Sequence, residues 1–267
     1  MNSAEKRFLT AVFMASLILK LFYGYVFENK FHPLKYDFGP YETMAANFSH
    51  GKGLIYETKI NETLTITRYN EDELAYPLMC GFVYTLTRHS VIIMLLIQCL
   101  YASLIPVVIY LISKSLFNVD VGRLSALLAI FVPGIMVYAA AKIHSMTFYS
   151  LVFCAALWAA VRFMRRQSAG NVIFLGIMLG LGILSRNNFV FFIPFLLLYF
   201  YLTKKAGILN ILKIAVIIII VLTPLAVRNY SIYHKIVILK PGVTWPAMNA
   251  KAMGPCIITT GPIHLRT

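Results

Sequence analysis

After Asp120 the sequence contains no aspartate or glutamate. The acids are Glu5, Glu28, Asp37, Glu42, Glu57, Glu62, Glu71, Asp72, Glu73 and Asp120. Any carboxylate chemistry therefore points to residues 28–73. Cysteine is scarce too. Cys80, Cys99, Cys154 and Cys256 show no CxxC or metal-ligand spacing. Cys99 and Cys154 lie in apolar runs and read as small packing residues, and Cys80 and Cys256 could pair outside, although the sequence gives no warrant for it. The six histidines are scattered without the spacing of a metal site. His144 and Ser145 stand side by side with no third group to orient them, which argues against a hydrolase triad.

What is abundant is apolar. Of the 267 residues 60% are hydrophobic, and mean hydropathy is +0.76. A soluble domain is nearer half apolar, so a membrane protein is indicated. The formal charge of +14 could suggest nucleic acid as a partner. The basic residues instead form short clusters between apolar runs, which suits the positive-inside rule and anionic lipid.

The apolar runs predict about seven transmembrane helices in an all-α polytopic fold. They are 8–27, 91–112, 124–141, 143–161, 171–185, 187–203 and 206–227. The first has no small-residue cleavage site and reads as a retained span. The two runs flanking Arg186 are short for a full crossing and form a hairpin in either case. Lys6, Arg7, Lys114, Arg123, Arg162, Arg165, Arg166, Lys204, Lys205 and Lys213 fall at alternate ends, which puts the N-terminus in the cytoplasm. Residues 1–230 are then one transmembrane module, with a long outer loop at 28–90. Residues 231–267 form an outer-face C-terminal segment.

The outer loop is too long to be a connector. Gly39-Pro40 predicts a helix start. Tyr41, Met44, Ala45 and Phe48 form an apolar stripe, and Gly51 a stop. A second interfacial helix is expected near Pro77, with irregular chain from Glu57 to Leu74.

Asp37 stands directly before the first of these helices, among Tyr36, Phe38 and Tyr41. A carboxylate there can take a proton from an incoming hydroxyl or amine, and aromatic burial would raise its pKa. The plainer account is a helix-start acid favoured by the dipole. Lys20, Lys142, Arg186 and Arg228 lie at or inside the ends of apolar runs. Arg186 and Arg228 suit a phosphate held bidentately, whereas lipid snorkelling is the competing account and the better one for Lys20 and Lys213. Glu71, Asp72 and Glu73 are weak candidates for a divalent cation, a solvated acidic loop explaining them better.

Several stretches together resemble a known family. The run Tyr41…Ala45-Ala46-Asn47-Phe48…Gly51-Lys52-Gly53 after Asp37 is similar to the opening of GT-C fold glycosyltransferases that use polyprenyl-phosphate sugars. These include protein mannosyltransferases using dolichyl-phosphate mannose and aminoarabinose transferases. Ala75-Tyr76-Pro77-Leu78, the turn Tyr138–Phe148, Leu184-Ser185-Arg186-Asn187 and Thr223–Tyr230 resemble further family stretches in order. The resemblance implies a membrane glycosyltransferase at a bacterial inner (plasma) membrane, active on the outward face. Its donor would be a polyprenyl-phosphate sugar and its acceptor a lipid, glycan or protein. Asp37 would be the catalytic base. Tyr41, Lys142, His144, Arg186, Arg228 and Asn229 would bind substrate, with a divalent cation left open. Two departures matter. The family usually has an acid after a Ser or Thr on the turn that follows the third span, and here Met146 follows Ser145. Members also usually continue through further spans, so a compact enzyme, a fragment and a non-catalytic lipid-sugar binding or translocation accessory all stay open.

Overall fold

The computed structural model describes residues 2–31, 40–59, 64–69, 73–203, 206–234 and 257–260, with 27–31, 56–59, 64–69, 232–233 and 257–260 described as backbone only. All seven expected apolar runs are helical. The first is α1 (Ser3–Phe31). Between it and the second run lie α2 (Pro40–Ser49), strands β1 (Ile55–Lys59) and β2 (Leu64–Tyr69), and α3 (Ala75–Thr87). The second run is α4 (Val91–Ala102) followed by α5 (Leu104–Leu116). The break falls at Ser103 because Pro106 has no N–H for the Ala102 carbonyl and its ring crowds that oxygen. The third run is α6 (Val119–Ile130) and α7 (Pro133–Ala140), bent by 52° where Pro133 ends the first helix. Then come α8 (Ser145–Arg165), α9 (Ala169–Ser185), α10 (Phe189–Leu202) and α11 (Ile208–Tyr233).

Among the described residues four helical stretches are long and apolar enough to cross a membrane, and the bent pair α6–α7 makes a fifth. At 1.5 Å per residue α9 and α10 reach only about 26 and 21 Å, short of a hydrocarbon core of roughly 30 Å. Large apolar side chains such as Phe22, Phe191, Phe195, Ile219 and Ile220 point outward. In water such a surface would aggregate, but against lipid it is the ordinary exterior. The chain is an integral membrane protein.

The main core lies between α8, α9 and α11, around Ala156, Phe163, Leu175, Leu179, Ile214 and Ile218. Gly176 and Gly180 let α9 and α11 touch closely. A Cβ on either would lie 2.7 Å from the side chain of Ile217 or Val221. This is a small-xxx-small contact, suited to a lipid setting where close van der Waals packing drives helix association.

The segment expected to be irregular between Glu57 and Leu74 contains β1 and β2, paired antiparallel with Ile55 opposite Tyr69. Strand β3 (Ile257–Thr260) adds antiparallel to β2, in the order β1-β2-β3. The alternation Leu64-Thr65-Ile66-Thr67 carries the β-branched residues a strand favours, a signal outweighed in the sequence reading by the acids around it. This ribbon is an appendage to an all-α membrane body. Lys20 also departs from expectation. Instead of snorkelling, it is fully buried and donates to Ser16 Oγ at 2.5 Å.

Candidate functional site

The basic clusters collect at one end of the bundle. There Glu5 pairs with Lys114 and accepts from Tyr110. Arg123 stacks on Phe8, and Arg165 donates to the Ser115 carbonyl. The residues singled out from the sequence gather at the opposite end, where α2, α3, the α7–α8 turn and the ends of α9 and α11 converge.

Helix α2 begins at Pro40 as predicted and ends in a Schellman motif. Lys52 N donates to Asn47 O and Gly51 N to Phe48 O, with Gly51 at φ +77°. Its stripe is buried through Met44 and Ala45. Phe48 lies over Gly81 of α3, where a Cβ would come within 2.5 Å of its ring. A small apolar floor of Met44, Leu54, Leu74 and Leu225, with Leu184 against it, joins α2, α3, α9 and α11. Three of these floor residues lie one to three positions from Glu73, Arg186 or Arg228, so the floor brings those charged residues into one neighbourhood.

Tyr41 is the hub. Its hydroxyl donates to Glu73 Oε2 at 3.1 Å and accepts from Ser145 Oγ at 3.1 Å. Its ring packs edge-on to Tyr76 and His144, each at 5.4 Å. Burial raises the Tyr41 pKa, against the Ser145 hydrogen bond and with Glu73 adding to it, so the phenol keeps its proton. Beneath it Tyr76 donates to Gln98 Oε1, and Gln98 Nε2 donates to the carbonyls of Tyr138, Ala139 and Lys142 at 3.3, 3.2 and 2.8 Å. One amide thus staples the whole α7–α8 turn from inside.

That turn carries Lys142, His144, Ser145 and Met146. His144 caps α8, its Nδ1 accepting from Met146 N at 3.1 Å. Burial, then the charges of Arg186 and Lys142, lower the His144 pKa from its ordinary 6.5 and keep the ring neutral. Lys142 is exposed at the rim with its Nζ 5.9 Å above the Tyr138 ring. Arg186 ends α9, where the chain can fold back because Gly182 leaves room for the Phe189 ring. Its Nη1 lies 3.4 Å from Met146 Sδ and its guanidinium 5.7 Å above Tyr149. Arg228 on α11 donates to Asn229 Oδ1 at 2.9 Å and to the Leu54 carbonyl at 3.4 Å, and Asn229 is fully buried.

The structure thus gathers Tyr41, His144 and Arg186 with Glu73, joins Arg228 and Asn229 to them through Leu54, and sets Lys142 at the rim. Asp37, Glu71 and Asp72 lie outside the described residues. Glu73, expected as a weak metal candidate, reaches a phenol. Among the described residues no three histidine, cysteine or acidic side chains come together to hold a metal. Gln98 was missed, although it is the one amide in an otherwise uncharged run and polar groups at such depth carry weight. Ser145, set aside as a nucleophile, is part of the hydrogen-bonded chain. Chemically, the arrangement sets cations with neutral neighbours beside one carboxylate, which suits an anionic ligand bearing hydroxyl groups.

No curated protein and no solved structure matches the chain. Residues 72–228 match a protein family. The matched stretch runs from just before Glu73 to Arg228 and takes in the α7–α8 turn, the α9 end and most of α11. It covers more than half of the chain, which belongs to the dolichyl-phosphate-mannose-protein mannosyltransferase family of GT-C type membrane glycosyltransferases.

Proposed function

We propose that the protein moves a sugar from a polyprenyl-phosphate donor to an acceptor hydroxyl or amine on the non-cytoplasmic face. The observation that carries this reading is the gathering of Arg186, Arg228 and Lys142 around Tyr41 and Glu73, at the end opposite the basic clusters. The basic end faces the cytoplasm by the positive-inside rule, which turns the cluster outward. Arg186 and Arg228 hold the donor phosphate, with Lys142 at the entrance. Asn229 orients Arg228, and neutral His144 shapes the wall beside Tyr41. In the transfer step a bond forms between the acceptor atom and the anomeric carbon, and the bond from that carbon to the phosphate oxygen breaks. The proton of the acceptor passes to Asp37, and the fixed cations balance the charge on the departing polyprenyl phosphate. The residues of the site supply this chemistry with or without a divalent cation, for which the acidic run Glu71-Asp72-Glu73 is the candidate ligand group.

Met146 favours a second reading. A thioether at the position next to Ser145 meets Arg186 where an acid would have met it. A non-catalytic protein that binds or helps translocate a lipid-linked sugar fits that substitution. Transfer from polyprenyl-phosphate sugars by purified protein, wild type against Asp37→Asn, decides between them. Loss of a general base is expected to slow transfer by about 10²–10⁴-fold. Full activity in the variant would remove Asp37 from the mechanism. Lipid binding without transfer by the wild type would favour the accessory reading.

A further inference from the structure

Of the carboxylates whose side chains are described, Glu5 and Asp120 pair with Lys114 and Arg123 at the basic end, and Glu42 pairs with His89. Glu73 accepts from Tyr41, the phenol to which Ser145 donates. Its backbone is unusual: at φ +52° it occupies the left-handed region, where a side chain with a Cβ is strained and glycine is at ease. Strain of this kind persists where the surroundings demand the residue.

The protons of the chain all run one way. Ser145 donates to Tyr41, and Tyr41 donates to Glu73. A phenol oxygen has two lone pairs. Among the described residues Ser145 takes one, and the second can accept from a further hydroxyl. An anionic acceptor at the far end polarises the chain and makes that oxygen a stronger acceptor. Tyr41 is half-buried, and the charge of Arg186 reaches its phenol.

We infer that Glu73 is a positioning residue for sugar recognition: acting through Tyr41, it fixes and charges a hydrogen-bond acceptor that takes a hydroxyl of the donor's sugar. This rests on the polyprenyl-phosphate-sugar reading above and adds a sugar subsite distinct from the phosphate contacts. The phosphate is held by the arginines and the sugar is read by the Glu73–Tyr41 pair.

The test uses full-length protein in detergent with two probes: polyprenyl phosphate without sugar, for binding, and a panel of polyprenyl-phosphate hexoses, for transfer. Glu73→Gln keeps an oxygen for the Tyr41 hydroxyl but loses the charge. It is expected to lower kcat/KM for the hexose donor about tenfold or more, with binding of the sugar-free phosphate within about twofold of wild type. Glu73→Asp should recover part of the loss. Tyr41→Phe should match Glu73→Gln, and the double variant should be no worse than either, because both break one chain. Glu73→Gly relieves the left-handed backbone, so its melting temperature should equal or exceed wild type while transfer falls, a combination that a purely structural role would not produce. Wild-type kcat/KM in Glu73→Gln, equal loss of sugar-free phosphate binding, or additive losses in the double variant would each overturn the inference while leaving the transferase reading in place. Absence of transfer by the wild type from every donor would remove both.

Discussion

Lys114 and Arg186 are both cations at the ends of apolar helices, yet the protein surrounds them differently. Lys114 meets the Glu5 carboxylate, and its neighbour Arg123 meets Asp120. At the other end Arg186 meets a thioether and a tyrosine face, and Lys142 a tyrosine face, with no acidic partner among the described residues. A charge held near lipid without an acid beside it is costly unless something else supplies the counter-charge. Among the described residues, Lys114 and Arg123 have acids beside them. At the opposite end Arg186 and Lys142 lie against aromatic rings and a thioether, and under the proposed reading the donor phosphate supplies the counter-charge.

The widest gap between the ends should come from truncating an arginine at each. Arg186→Ala is expected to weaken binding of polyprenyl phosphate about a hundredfold, the scale of a lost charge-assisted hydrogen-bonded pair. Arg186→Lys should recover only part, since an ammonium cannot grip a phosphate bidentately. Arg165→Ala removes a donor to the Ser115 carbonyl at the paired end and should leave binding within about twofold. Equal losses at both ends, measured by titration of the lipid phosphate, would erase the distinction drawn between them.

The second effect concerns what holds the open end together. Arg186 follows α9 and Arg228 lies on α11, and those helices meet at Gly176 and Gly180. In Gly180→Ala the new methyl would lie 2.7 Å from the Val221 side chain. Val221 is β-branched and stiff, so the helices must part rather than the side chain turn aside. Overpacking of this kind costs about 1–3 kcal/mol. Thermal unfolding in detergent should show that loss, and lipid-phosphate affinity should fall with it as the two arginines separate. Ala substitution at Gly134, where a Cβ meets nothing within 4 Å, provides the contrasting position. Unchanged affinity in a destabilised Gly180→Ala protein would uncouple the glycine contact from the site.

These two ends were unequally legible in the sequence. The paired end could be read as a set, because charge clusters alternating with apolar runs are a one-dimensional signal. The runs themselves gave the helices for the same reason. The open end depends on contacts between residues far apart in the chain: Tyr41 with Ser145, Tyr41 with Glu73, Leu54 with Arg228. Tyr41, His144 and Arg186 were picked out as separate residues, but no spacing rule could join them. Glu73 looked like part of a solvated acidic run because its neighbours are acidic, and only the turn into α3 points it at a phenol. Gln98 was passed over as a lone amide in an apolar run, where its burial and four hydrogen bonds to Tyr76 and the outer turn were invisible. The glycine pair on α9 was legible in principle, as a small-xxx-small spacing, and the ribbon in the outer loop was hidden by its charge.

The smallest effect offers the finest probe of the open end, because His144 senses its charge directly. Its pKa is lowered first by burial, then by Arg186 and Lys142. The unfolded chain takes up this proton near the ordinary 6.5, and the folded protein resists it. The stability that His144 contributes is therefore complete above that pH. It declines as pH falls below 6.5 toward the lower folded value, since the unfolded state then binds the proton more readily. Protonating Nδ1 would also remove the acceptor that caps Met146 N and starts α8. His144→Asn keeps an acceptor at the cap and cannot ionise, so its melting temperature should fall less than that of the wild type between about pH 6.5 and 5. Removing the Arg186 charge should narrow the difference. In Arg186→Ala the folded pKa of His144 moves back up toward 6.5 without reaching it, because burial remains the larger cause. The pH-dependent loss attributable to His144 then shrinks without vanishing. Substituting Arg165 at the paired end should leave that loss as it is in the wild type. Identical pH profiles for the Arg186 and Arg165 variants would mean that His144 does not feel the Arg186 charge at the open end.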